Sequence, residues 1–152
     1  METKPRLLKR DPQPNVSYSS APSKGASIDT MTAACVSELM NAATSIHKLH
    51  LKVTGTGSYA AHKALNDLYD ALPGHADDLA EGYQGAAEKL LSYSEVSPRK
   101  LDSVADGLDY IREMIDMVSA LQNKMPYSEI VNELDTVKST LNSAKYKLLF
   151  LK

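Results

Sequence analysis

A single cysteine, Cys35, in a chain of 152 residues excludes an internal disulfide and suits a reducing compartment. No Cys-x-x-Cys pair is present, and no apolar run is long enough to span a membrane. The segment Arg6-Leu7-Leu8-Lys9-Arg10 is basic but lacks the apolar core of a signal peptide. The sequence has no internal repeat, no Walker loop and no dinucleotide fingerprint, and Gly55-x-Gly57 is too short to cradle a phosphate. Without a Gly-x-Ser-x-Gly elbow, nothing organises the many serines into a hydrolase triad. Glu-x-x-His motifs are absent as well, which removes a di-iron centre built inside one helical bundle.

What is present is one ordinary domain: 43% hydrophobic residues, 24% charged and a net charge of −2. The charge is unevenly placed. Residues 1–27 carry Lys4, Arg6, Lys9, Arg10 and Lys24 against Glu2 and Asp11, a local +3, so the body carries −5. A basic arm on an acidic body is suited to touching nucleic acid or another polyanion, with Lys4, Arg6, Lys9 and Arg10 as the contacts. Pro5, Pro12, Pro14 and Pro22, interleaved with serines, preclude a periodic helix there, and an extended tail over 1–27 is expected.

From residue 28 onward the pattern is helical. A first helix starts near Ser27 to Thr30, capped by Ser27 or Asp29, with Val36, Leu39, Met40, Ala43, Ile46 and His50 on its inner stripe and Cys35 as a small buried apolar residue. Gly55 and Gly57 end it. A second helix runs from Ser58 with Tyr59, His62, Leu65, Tyr69 and Leu72 on one face, and Pro73 is expected to kink it or restart it before it ends near Gly85. A turn or two of helix is expected around Ala86 to Leu91. Ser97 and Pro98 read as the cap and first residue of a third helix, with Leu101, Val104, Leu108, Ile111, Ile115 and Val118 in steps of three and four. Pro126 stops it, and Ser128 caps a fourth with Ile130, Leu134, Val137, Leu141, Ala144, Leu148 and Leu151 inside. Four inward stripes with short links predict an all-α antiparallel four-helix bundle over 28–152.

Chemistry concentrates between His50 and Glu81. His50 ends the first helix, His62 opens the second, Asn66 follows four residues on, and Asp77 and Glu81 share one helical face. Two imidazoles with two carboxylates make a mixed N/O set that suits iron, manganese or zinc rather than calcium or magnesium. A lone histidine such as His47 or His75 reads instead as a hydrogen-bonded packing residue, Asp78 as a solvated neighbour, and Tyr59 and Tyr69 as core aromatics.

This run resembles the signature of the Dps family of miniature ferritins, in which His-Trp-Asn-Val-x-Gly precedes an aromatic, a second histidine, an acid and Asp-x-x-x-Glu. His50, Val53, Gly55, Tyr59, His62, Asp77 and Glu81 carry the likeness over about a fifth of the chain, whereas Leu51 stands for the tryptophan and Asn66 for the acid. The resemblance implies a ferritin-like bundle assembled as a hollow dodecamer from dimers. It also implies an iron site between subunits, with His50 and His62 from one and Asp77 and Glu81 from the next, and Asn66 a weak donor. The implied activity is Fe(II) binding and oxidation, with iron storage or protection of DNA through the basic tail, in the cytoplasm of a bacterium or a phage-infected cell. An alternative is a non-enzymatic structural or docking protein with a degenerate site, partnered by a virion protein, since short chains resembling this family also occur in tailed bacteriophages. A third reading is a helical DNA-binding protein that keeps these side chains only as structural hydrogen bonds.

Overall fold

The computed structural model describes residues 25–152, which form four α-helices and no strand. Lys4, Arg6, Lys9 and Arg10 lie outside the described residues. Helix α1 (Ile28–His50) begins as expected: Ser27 has extended backbone, and its Oγ accepts the Thr30 amide at 3.2 Å, filling one of the orphan donors of the first turn. Residues 51–57 then reverse the chain. Gly57 has φ 79°, a left-handed conformation that an L side chain adopts only with strain, and it lies directly before helix α2 (Ser58–Ala87).

Helix α2 runs unbroken through Pro73, so of the kink or restart expected there the restart does not occur. Pro73 faces solvent, where water can take the carbonyl deprived of its amide partner. The flanking Leu72, Ala76 and Leu79 are fully buried and hold the helix across the defect, whose intrinsic cost is about 3 kcal/mol. The helix ends two residues beyond Gly85, where Glu88 turns left-handed (φ 52°) and its amide returns to Gln84 and Gly85 carbonyls. That cap replaces the extra helical turn expected around Ala86 to Leu91.

The start of the third helix is also corrected. Helix α3 spans Val104–Gln122, and its N-cap is Ser103 rather than Ser97. The Ser103 Oγ accepts the Asp106 amide at 3.2 Å while the Asp106 carboxylate accepts the Asp102 and Ser103 amides at 2.9 Å each. This reciprocal capping box prevails over Ser97-Pro98. Residues 88–103 form instead an irregular crossover laid along α1. Lys89 pairs with Asp29 at its beginning, the Arg99 amide donates to Ser45 Oγ at 2.8 Å, and Lys52 Nζ reaches the Leu101 carbonyl and, at 3.3 Å, Asp102. Leu101 is buried under this strap.

Helix α4 (Ser128–Phe150) takes Tyr127 as N-cap without a side-chain hydrogen bond, so Ser128 is its first residue and not its cap. Around the bundle α1 packs on α2 and α3, and α4 packs on the same two. On α4 the expected stripe is buried from Ile130 to Ala144, while Leu151 is exposed. On α3 the buried seam runs through Tyr110, Ile111, Met114, Val118 and Leu121, with Leu108 and Ile115 half-buried at its edge and Tyr110 reaching across to Glu38. Met40, placed on the inner stripe of α1 by its spacing, is exposed. Cys35 is fully buried, and burial first, then the Glu38 charge, pushes its thiol up to about 12. No helix among the described residues is long and apolar enough to cross a membrane.

Candidate metal centre

The last turn of α1 leaves carbonyls without intrahelical donors, and two of them are taken by imidazoles. His50 Nδ1 lies 2.6 Å from the His47 carbonyl, and His62 Nδ1, arriving from the second turn of α2, lies 3.0 Å from the His50 carbonyl. A carbonyl only accepts, so each Nδ1 carries the proton and donates it. In the tautomer that donates from Nδ1, the lone pair of the ring is on Nε2. His50 is buried, and the rings of His50 and His62 stack with centroids 4.4 Å apart and planes 29° apart.

The cluster is wider than the pair. His47 lies 5.1 Å from His50, centroid to centroid, and stacks almost parallel on Tyr69 at 3.9 Å. Tyr69 presents its edge to His50 at 4.9 Å, donates its hydroxyl to Asn66 Oδ1 at 2.9 Å, and is fixed further because Asn66 Nδ2 donates to Asp70 at 2.9 Å. Asn66, expected as a weak ligand, is thus engaged in holding Tyr69. His47, assigned from its pattern to simple packing, belongs to the imidazole group; its place three residues before His50 on one helix face was the available signal. His75 is a hydrogen-bonded packing residue, its Nε2 2.9 Å from Thr140 Oγ1.

Asp77 and Glu81 are exposed on α2 and are not brought to the histidines within the chain. They follow His62 by fifteen and nineteen residues, which at about 1.5 Å per residue is roughly 22 and 28 Å along the helix. Among the described residues no three His, Cys, Asp or Glu side chains gather as a metal-holding set. The described residues of one chain therefore offer an imidazole pair apart from Asp77 and Glu81, and a single ion held by all four residues of one chain is excluded on distance.

A second polar cluster went unnoticed in the sequence. Glu38, buried on α1, accepts the Tyr110 hydroxyl at 2.7 Å and pairs with Arg99 Nη2 at 3.2 Å. Arg99 also pairs with Glu113 and lies over the Tyr110 ring at 4.3 Å. Burial first, then the Glu38 charge, raises the Tyr110 hydroxyl above the ordinary tyrosine range. A glutamate between Val36 and Leu39 on an inward stripe was its one sequence signal.

Comparison with known proteins corrects the family reading. A family model described as "Family of unknown function (DUF5856)" matches residues 50–148. A phage protein, the "Uncharacterized 14.6 kDa protein in mobD-ri intergenic region" of Enterobacteria phage T4, is 28% identical over 110 residues, covering 72% of this chain and 81% of its own length. The likeness to Dps rested on a short motif already interrupted at Leu51 and Asn66, and the family match, which spans His50 through Glu81 and continues to α4, overturns it. With roughly two thirds of its length inside that match, the chain belongs to the DUF5856 family.

Proposed function

We propose that this chain is a helical-bundle protein that binds a divalent transition-metal ion, Fe(II) among the candidates, at His50 and His62. One observation carries this reading: both Nδ1–H groups are tied to backbone carbonyls on rings whose centroids lie 4.4 Å apart, which leaves the Nε2 of each ring without a hydrogen bond among the described residues. Anchoring of the remote ring nitrogen by a carbonyl is the usual support for a ligating imidazole. Imidazole donors suit zinc, copper, nickel and iron. Oxidation and storage of iron call for carboxylates as well, so that activity rests on a second copy presenting Asp77 and Glu81, and homo-oligomerisation belongs to the proposal.

The finer fold belongs to it too. Tyr83, late in α2, donates to Asp29 at the start of α1, and Lys147, late in α4, meets Asp67, early in α2, at 3.1 Å. With the crossover along α1, these pairings support an antiparallel bundle with one long connection, the connectivity of ferritin-like folds.

The test is anaerobic Fe(II) and Zn(II) titration of metal-free protein. Saturable binding lost in His50→Ala and His62→Ala is expected. Absence of saturable binding by folded wild-type protein overturns the reading. Binding that survives Asp77→Ala and Glu81→Ala unchanged, with no oxidation by peroxide, removes iron chemistry and leaves metal binding alone.

A second reading, a non-enzymatic docking protein of a phage particle, is favoured by the phage relative and by the exposed aromatic pair Tyr146 and Phe150, 5.7 Å apart at the end of α4. Recovery of the chain in purified virions, lost on changing both aromatics to serine, would support it. A polyanion role for Lys4, Arg6, Lys9 and Arg10 is likewise proposed; DNA binding that persists without salt dependence after their neutralisation would overturn it.

A further inference from the structure

We infer that His47, stacked on Tyr69 in this arrangement, is a movable third ligand of the proposed metal site. The inference rests on the metal reading above and adds a residue to it. His50, His62 and His75 each have a ring nitrogen engaged in a hydrogen bond, whereas His47 is held among the described residues by stacking alone. It is exposed and sits three residues before His50, so both imidazoles rise from the same turn of α1.

The platform beneath it is fixed where His47 is free. Tyr69 is fastened through Asn66 to Asp70, and its ring also abuts His50. The parallel stack, 3.9 Å and 7°, keeps His47 beside the pair. Rotation about the side-chain bonds of an exposed histidine is fast and needs no backbone movement. On leaving Tyr69 the ring adds a third nitrogen to the two Nε2 donors. Three imidazoles with one position open form the ligand set of sites that hold zinc or cobalt and keep a place for water or a substrate.

The experiment is Co(II) titration followed by visible absorption, paired with NMR of the histidine ring protons during Zn(II) titration. Wild-type protein should develop the intense bands of four-coordinate cobalt, and the His47 ring protons should move strongly as they leave the shielding face of Tyr69. His47→Ala should weaken affinity by at least about tenfold, the lower range for loss of even an outer partner, and dim the cobalt bands. Tyr69→Leu, which removes the parking place, should tighten binding by about twofold, the low end of an aromatic pair's worth for an exposed ring, converted at 1.4 kcal/mol per tenfold. Wild-type binding with His47 resonances unmoved and His47→Ala affinity unchanged overturns this inference and leaves the His50 and His62 site standing. No binding by wild-type protein overturns that site and this inference together.

Discussion

The bundle holds two polar clusters of opposite character. Around Glu38, Arg99, Tyr110 and Glu113 the hydroxyl and the charged groups answer one another, across α1, the crossover and α3. Around His47, His50, His62 and Tyr69 the bonds among the described residues reach one nitrogen of each of two rings, and the third ring stacks. A network closed on itself fastens elements together, because opening it strands buried polar groups. A network with oriented lone pairs left over is suited to meeting something else. The contrast separates scaffold from candidate site, and substitutions in the two clusters should differ in kind.

The largest effect is expected at Glu38. In Glu38→Ala the buried Tyr110 hydroxyl loses its acceptor and the half-buried Arg99 loses one of two partners. Leaving a buried hydroxyl unsatisfied and a half-buried guanidinium short of one partner costs about 2 kcal/mol, seen as a lower urea midpoint with no change in metal affinity. A loss below about 1 kcal/mol would show that the cluster does not fasten the crossover.

Next comes the alkaline limb of stability. Tyr110 and Tyr83 hold their protons above the ordinary 10.0, and Cys35 holds its own above 9.0, to about 12, with burial the first cause in all three. The unfolded chain therefore gives up these protons at lower pH than the folded one. Stability is fully present below about pH 9 and falls as pH rises beyond it, by up to about 1.4 kcal/mol per pH unit for each such group. Thermal unfolding followed between pH 8 and pH 11.5 should show the decline, and Tyr110→Phe should flatten it above pH 10. Equal slopes for the two proteins would remove Tyr110 from the account.

At the histidine cluster stability and binding should part company. His62→Ala deletes one hydrogen bond to an α1 terminal carbonyl and one half-buried ring, at a cost of about 1 kcal/mol. Metal affinity should vanish in the same protein. A loss near that expected for Glu38→Ala, with metal affinity retained, would turn His62 into a helix-capping residue and reverse the assignment of the two clusters.

The same contrast explains what was legible in the sequence. Helix positions were readable wherever local chemistry and periodicity agreed, as with Ser27 before α1, Gly57 before α2 and the steps from Ile130 to Ala144 on α4. They misled where a distant contact decided. Ser97-Pro98 has the local signature of a helix start, yet the Arg99 amide is drawn to Ser45 and the helix waits for the Ser103–Asp106 box. His50 and His62 were legible as a pair because each borders the same glycine turn. Their distance from Asp77 and Glu81 follows from α2 continuing through Pro73, and His47 was passed over because a single histidine carries no sign of the tyrosine it stacks on. The family reading failed for a related reason: a short motif matched a signature whose Leu51 and Asn66 positions had already departed from it.

The smallest effect should come from His47→Ala, and it sharpens the comparison most. His47 is exposed and held by its stack on Tyr69, so its removal should change stability by no more than about 0.5 kcal/mol, the range of ordinary surface substitutions. Tyr69 keeps its hydroxyl bond to Asn66 in that variant, so the platform survives intact. Urea unfolding of the metal-free proteins isolates this number from any ligand. The difference between wild type and variant should then grow when Zn(II) is present, because an ion bound to the folded state stabilises it in proportion to its affinity. A variant as stable as wild type without metal, and clearly less stable with it, marks a residue whose work begins only when the ion arrives. A variant weakened equally in both conditions marks His47 as one more piece of scaffold, and the boundary between the two clusters would then run between His47 and His50.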